Sequence, residues 1–163
     1  MLKRLKKNKK GELTTSMQWA IGLIMMLYAV GFFLDVTLIG QQIYAATSAN
    51  NQLCRIASVQ GGILSSAPEG YPDNYVSSGE VEDYLDRVLN GISVEEYEAR
   101  VNGGGIPSGE IHYREPVDTE VQITYSWKFM NVMLPGDWTN KTYTSHRAGI
   151  SEWKYDYSDW GEN

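Results

Sequence analysis

Met17–Leu34 reads MQWAIGLIMMLYAVGFFL, eighteen residues with no formal charge and one strongly polar side chain, Gln18. At about 1.5 Å per residue a helix of this length covers roughly 27 Å, close to the hydrocarbon thickness of a bilayer. The rest of a 163-residue chain is too small to cover such a cylinder on every side, so the run is read as a membrane span and not as a buried core helix. Lys3, Arg4, Lys6, Lys7, Lys9 and Lys10 precede it, and the next basic residue is Arg55. That asymmetry predicts a single-pass membrane protein with a cytoplasmic N-terminus and an extracellular or periplasmic C-terminal part.

The formal net charge of −6 is the sum of two unlike regions. The first ten residues carry six positive charges, whereas residues 45–163 carry eight basic and eighteen acidic ones, a balance of −10. A basic tail beside an inner leaflet follows from topology, and an acidic exterior lacks the clustered Lys and Arg that phosphate contacts need, so no nucleic-acid partner is expected. A secretory signal peptide has a shorter apolar region, about 7–15 residues, followed by a small-x-small site. Here Ala45-Ala46-Thr47-Ser48-Ala49 begins eleven residues past the run, behind Asp35 and Gln41-Gln42, so an anchored protein is preferred and conventional cleavage is the alternative. The single cysteine, Cys54, forms no internal disulfide and reads as a small buried helix residue, with an intermolecular bridge as the alternative.

The helix continues beyond the apolar run. Thr14, Thr15 or Ser16 can cap its start, and no Pro or Gly interrupts Gln41–Gln60 before Gly61-Gly62 ends it. Val36, Ile39, Ile43, Ala46, Asn50, Leu53 and Ala57 recur at steps of three and four, a heptad seam in which Asn50 is the polar register-setting residue. Asp35, where the apolar run stops, reads as an interfacial carboxylate or as a polar contact with a neighbouring helix.

Gly61–Gly79, with Pro68, Pro72 and several Gly and Ser, is a loop. Glu80–Asn90 follows as a helix with Val81, Tyr84, Leu85, Val88 and Leu89 on one face and Ser77-x-x-Glu80 as a capping box. Ile92–Val101 suits either a further short helix or a strand with one bulge, and the strand is preferred. Val117–Phe129 alternates cleanly: Val117, Thr119, Val121, Ile123, Tyr125, Trp127 and Phe129 share one face. Leu134–Asp137 supplies a turn, Trp138–Ile150 a second strand, and Glu152–Tyr157 an optional third. The expected fold is α+β, a long N-terminal transmembrane helix extended outside the membrane and packed on a small antiparallel sheet. Its parts are a basic leader (1–11), the transmembrane and amphipathic helix (12–60), a loop (61–79) and a small external α+β domain (80–163).

No catalytic constellation, cofactor motif or metal-ligand spacing is present. His112 and His146 read as exposed strand residues, and Glu80, Glu82, Asp83 and Asp86 as a solvated face without the alternating ligands of a calcium loop. Gly103-Gly104-Gly105 lacks the lysine of a phosphate loop. Trp127, Trp138, Trp153, Trp160, Tyr125, Tyr143, Tyr155 and Tyr157 crowd the C-terminal region, where aromatic side chains suit strands and equally suit a sugar- or protein-binding platform.

The layout resembles the TadE-like minor pilins, or pseudopilins, of tight-adherence, type IV-like pili. The resemblance lies in Gly11-Glu12, in Phe33-Leu34-Asp35-Val36 through Ile43-Tyr44-Ala45-Ala46 to Asn50-Asn51, in Val121–Trp127, and in Ser145-His146-Arg147-Ala148 through Glu152. It implies a non-enzymatic structural or assembly role in a cell-adhesion pilus, with membrane lipid, other pilins and a prepilin peptidase as partners. It further implies cleavage between Gly11 and Glu12 and packing of neighbouring spans, for which the small residues Gly22, Ala29 and Gly31 suit close approach. Such pilins carry Glu at the fifth position after the cut; here that residue is Ser16, and Glu12 stands at the first. An uncleaved, membrane-resident assembly factor and a signal-anchored extracellular binding or sensing module are the alternatives.

Overall fold

The computed structural model describes residues 2–69, 71, 74–133 and 140–153, with side chains from Thr14 onward. Six elements follow in order: α1 (Leu2–Gln60), α2 (Ser78–Asn90), β1 (Glu96–Val101), β2 (Pro116–Tyr125), α3 (Lys128–Met133) and β3 (Lys141–Ile150). The fold is α+β, a long N-terminal apolar helix with a small antiparallel sheet of order β1-β2-β3. The chain divides into two compact units, Met1–Thr37 with Trp127–Trp138, and Leu38–Ser126 with Thr139–Asn163.

α1 starts at Leu2 and not at the expected Thr14. Leu, Lys and Arg are good helix formers, and once the apolar run nucleates the helix, Gly11 costs only about 1 kcal/mol to include. At the other end Gly61 (φ 68°) and Gly62 (φ 116°) take the backbone where L-residues rarely go. The Gly62 amide then donates to the Ala57 carbonyl at 2.8 Å, and the Glu152 amide donates to the Ser58 carbonyl at 2.8 Å. The helix therefore ends with its last carbonyls satisfied.

The second unit has one hydrophobic core. Ala46, Ala49, Leu53 and Ala57 of α1 meet Val81, Leu85 and Leu89 of α2 and Val117, Val121 and Ile123 of β2. Small side chains on α1 let the sheet come close enough for Asn50 to reach it: the side-chain amide donates to the Ser145 carbonyl at 2.7 Å and the Thr119 carbonyl at 3.3 Å. Gly149 of β3 lies directly against Ser58 and Cys54, so no larger residue fits there without displacing α1. Gln60 forms a two-way clip, donating to the Val76 carbonyl at 3.0 Å and accepting from the Val76 amide at 2.8 Å.

The sheet follows its sequence pattern where the pattern is cleanest. Val117, Thr119, Val121 and Ile123 are fully buried, and the β2–β3 register pairs Val117 with Gly149 and Ile123 with Tyr143. Residues 92–101 resolve to a strand from Glu96, preceded by a turn in which Ser93 has φ 58°. The Ser77–Glu80 capping box forms as read, both side chains bonding the other's backbone.

Three expectations are corrected. β2 stops at Tyr125: Trp127 lies between the strand and α3, and Phe129 lies within α3. His112 is exposed on a loop, not on a strand. The heptad seam is redrawn: Ile39, Ala46, Asn50, Leu53 and Ala57 are buried, but Val36 is exposed and Ile43 is half-buried, while Asp35, Gln42 and Ala49 are buried in their place. Gln42 turns inward because its amide donates to the Ile92 and Ser93 carbonyls at 3.1 and 3.0 Å, closing the turn after α2. The turn read at 134–137, residues 138–139 of the second strand, and all of the optional third strand past Trp153 lie outside the described residues.

Asn50→Ala removes the donor shared by two buried carbonyls and should destabilise the second unit by about 1–3 kcal/mol. Asn51→Ala, on the exposed side of the same turn, should change stability by less than about 0.5 kcal/mol. Chemical denaturation of the full chain in detergent micelles compares the two.

Candidate functional site

Between Met17 and Leu34 the side chains are apolar around the whole helix and nearly all exposed; Trp19 is 76% and Met26 68% accessible. A soluble helix hides one stripe and wets the other, so a cylinder apolar on all sides needs lipid or other helices around it. This is the one helix among the described residues long and apolar enough to cross a membrane.

At the C-terminal end of that run the chain satisfies its own charge. Asp35 is 1% exposed, and its carboxylate accepts from the Phe129 amide at 3.1 Å and from the Met130 amide at 2.8 Å. These are two of the amides that the first turn of α3 leaves without intrahelical partners, so Asp35 serves as an N-cap supplied from 94 residues away in sequence. The Tyr28 hydroxyl donates to the Met133 carbonyl at 3.0 Å, closing the other end of α3. Trp127 stacks on Phe32 with ring centroids 6.0 Å apart. Gly31 is buried because a side chain there would press on Met133 and Phe129. Tyr28, Gly31, Phe32 and Asp35 are spaced i, i+3, i+4 and i+7, one stripe of α1 along which α3 lies.

The sequence-predicted site residues therefore separate into four groups. Gly22 and Ala29 are exposed on the apolar run, with open space around Gly22. Gly31 and Asp35 lie against α3 of the same chain, Asp35 making a polar contact with that helix. Ala46, Leu53 and Ala57 pack in the second unit's own core, Asn50 is buried beside them, and Ile39 is buried outside that cluster. Gly11 and Glu12 lie within α1, and their side-chain environment falls outside the described residues.

α3 was not legible as a helix in the alternating pattern, yet a signal existed. The run Phe129–Pro135, FMNVMLP, carries no charge and no period of two, so it cannot extend the alternating strand before it. Gly149 gave no local sign, since its smallness is imposed by Ser58 and Cys54 far away in sequence.

A shallow depression of about 400 Å³ on the solvent face of the sheet is lined by Glu96, Glu98, Gln122 and Thr124 beside Tyr97. The described aromatics are dispersed: Trp127 rests on Phe32, the Tyr143 hydroxyl lies 3.1 Å from that of Thr47, and Trp153 packs on Tyr71. His112 and His146 are both exposed, and no cluster of three His, Cys, Asp or Glu side chains among the described residues is placed to hold a metal ion. On α2 the exposed Asp86 accepts from the Tyr97 hydroxyl at 2.6 Å. Removal from water, and then this bond, push the Tyr97 phenol well above its ordinary value of 10.0.

No protein-family model matches the sequence, and neither a curated protein nor a solved structure is significantly similar to it.

Two outcomes follow. Asp35→Ala should release α3, raising amide hydrogen exchange at Phe129 and Met130 roughly 10- to 100-fold, the range expected when hydrogen bonds to a charged acceptor are lost. Asp35→Asn, which keeps one acceptor oxygen, should raise it less. For Tyr97, the unfolded phenol loses its proton near pH 10 while the folded one retains it, so the second unit is stabilised below about pH 10 and loses stability above it. Urea denaturation at about pH 8 and about pH 11 should show that loss, and Tyr97→Phe should reduce it.

Proposed function

We propose that this chain is a minor pilin or pseudopilin, a structural or assembly component of a tight-adherence, type IV-like pilus, anchored by α1 with its N-terminus in the cytoplasm and its second unit outside. The observation that carries this reading is the nature of α1: one helix, apolar on every side over Met17–Leu34, that becomes one-sided after Leu38 and carries a small α+β unit on that side. A subunit that passes from bilayer to filament needs such a helix, because the same apolar surface then exchanges lipid contact for contact with other spans.

The basic leader supports the same reading. Six cations ahead of the span hold the N-terminus inside, and they oppose withdrawal of the helix through hydrocarbon until they are removed. A peptidase cut after Gly11 removes all six and leaves Glu12 as the new first residue. Ser16 at the fifth position then offers a hydroxyl in place of a carboxylate, and the charge pairing with a neighbour's N-terminus falls to Glu12 at position one.

Co-expression with a prepilin peptidase should shorten the protein by residues 1–11, and expression without the peptidase should leave the mass intact. An unchanged N-terminus in both cases rejects the pilin reading in favour of a permanently anchored protein. Intact-mass spectrometry of detergent-extracted membranes makes the measurement.

A further inference from the structure

α3 lies against the last turns of the apolar run, from Tyr28 to Asp35, a length of about 10 Å along the α1 axis at 1.5 Å per residue. Its outward side is apolar: Phe129 is 44% and Val132 87% exposed, and the two are spaced i, i+3 on one face. Lys128 and Asn131, also i, i+3, form a second exposed line beside it. The segment is thus amphipathic about an axis laid against a candidate span, with Phe129 and Val132 on its outward side.

We propose that Trp127–Met133 is an interfacial membrane anchor whose exposed face, Phe129 and Val132, sits among the lipids of the leaflet at the C-terminal end of the span. The proposal rests on the spanning reading of α1. Depth argues for lipid as the occupant. The eighteen apolar residues cover roughly 27 Å and a typical hydrocarbon core is about 30 Å thick, so the boundary falls near Asp35 and Val36. A carboxylate there is costly unless it is hydrogen-bonded, and the Phe129 and Met130 amides both donate to it. α3 is therefore at the level where an amphipathic helix inserts, about 5–10 Å into the headgroup and acyl boundary. Trp127, with an apolar ring and an N–H donor, and Lys128 beside it are the residue types that favour this zone.

The test uses the full chain in phosphatidylcholine–phosphatidylglycerol vesicles, in a Cys54→Ser background. An environment-sensitive fluorophore is placed in turn at Val132→Cys, at Ile24→Cys within the apolar run and at Glu110→Cys on an exposed loop. Lipids carrying a nitroxide near the headgroup or deep in the acyl chain then quench by depth. The Val132 label should lose most of its fluorescence to the shallow nitroxide and less to the deep one, the Ile24 label the reverse, and the Glu110 label should keep its emission. If Ile24 is quenched and Val132 behaves like Glu110, the anchor is refuted while the span stands. If Ile24 is not quenched, both readings fall. A Val132 label shielded from aqueous iodide yet untouched by either nitroxide shows that protein, such as a second copy, covers the face, and overturns lipid as its occupant. Val132 is so exposed that its substitution removes no internal packing, and unchanged circular dichroism of the labelled variant verifies this.

Discussion

The structure depends on a single helix meeting two kinds of surroundings. Over Met17–Leu34 α1 offers hydrocarbon on every side, and from Ile39 onward it offers a narrow stripe of small and branched residues to a protein core. Where these regimes meet stands a carboxylate, Asp35. It is tolerable only because the chain returns, 94 residues later, to supply backbone donors. Without that return the end of the apolar run would need water on one face and lipid on the others. With it, Asp35 becomes the cap of a helix and ceases to mark a hard boundary.

In the second unit the buried side-chain amides act through their N–H donors. Asn50 in a heptad seam suggests a register device between two identical helices, but its amide donates to Ser145 and Thr119 of the sheet. Gln42 likewise closes the turn after α2, and Gln60 clips the loop at Val76. Each of these amides fixes α1 relative to a backbone carbonyl of its own unit. That fixes which face of the helix is buried more sharply than apolar packing of three alanines would, since a rotation of α1 would break directional bonds as well as slide methyl groups.

Those residues also show what a sequence can and cannot declare. Period-two alternation over Val117–Ile123 and the Ser77–Glu80 box are local patterns with local causes, and both appear as read. The apolar run is legible for the same reason. The identity of the helix face is not, because steps of three and four from Ile39 reach either Asp35 or Val36, and the choice rests on amides at Phe129 and Met130. Trp127 and Phe129 continued the strand's alternation by coincidence, while Phe129 sits in α3 with its amide on Asp35. Gly149 is invisible for a similar reason, its constraint lying in Ser58 and Cys54.

Occupation of one side of the span by α3 narrows what the other side can do. At about 100° per residue, the stripe of Tyr28, Gly31, Phe32 and Asp35 is centred about 120° from the line joining Gly22 and Ala29. Gly31 and Gly22 thus point to different faces although both are small. Gly31 is small for α3, whereas Gly22 has open space around it. A neighbouring span that packs through small residues has Gly22 and Ala29 to approach, one heptad apart and on a face that α3 leaves clear. Because Asp35 already has its donors within the chain, such a neighbour need not bring a cation to meet it. Its contact would be one of shape and dispersion, the kind that a filament core and a bilayer can both supply.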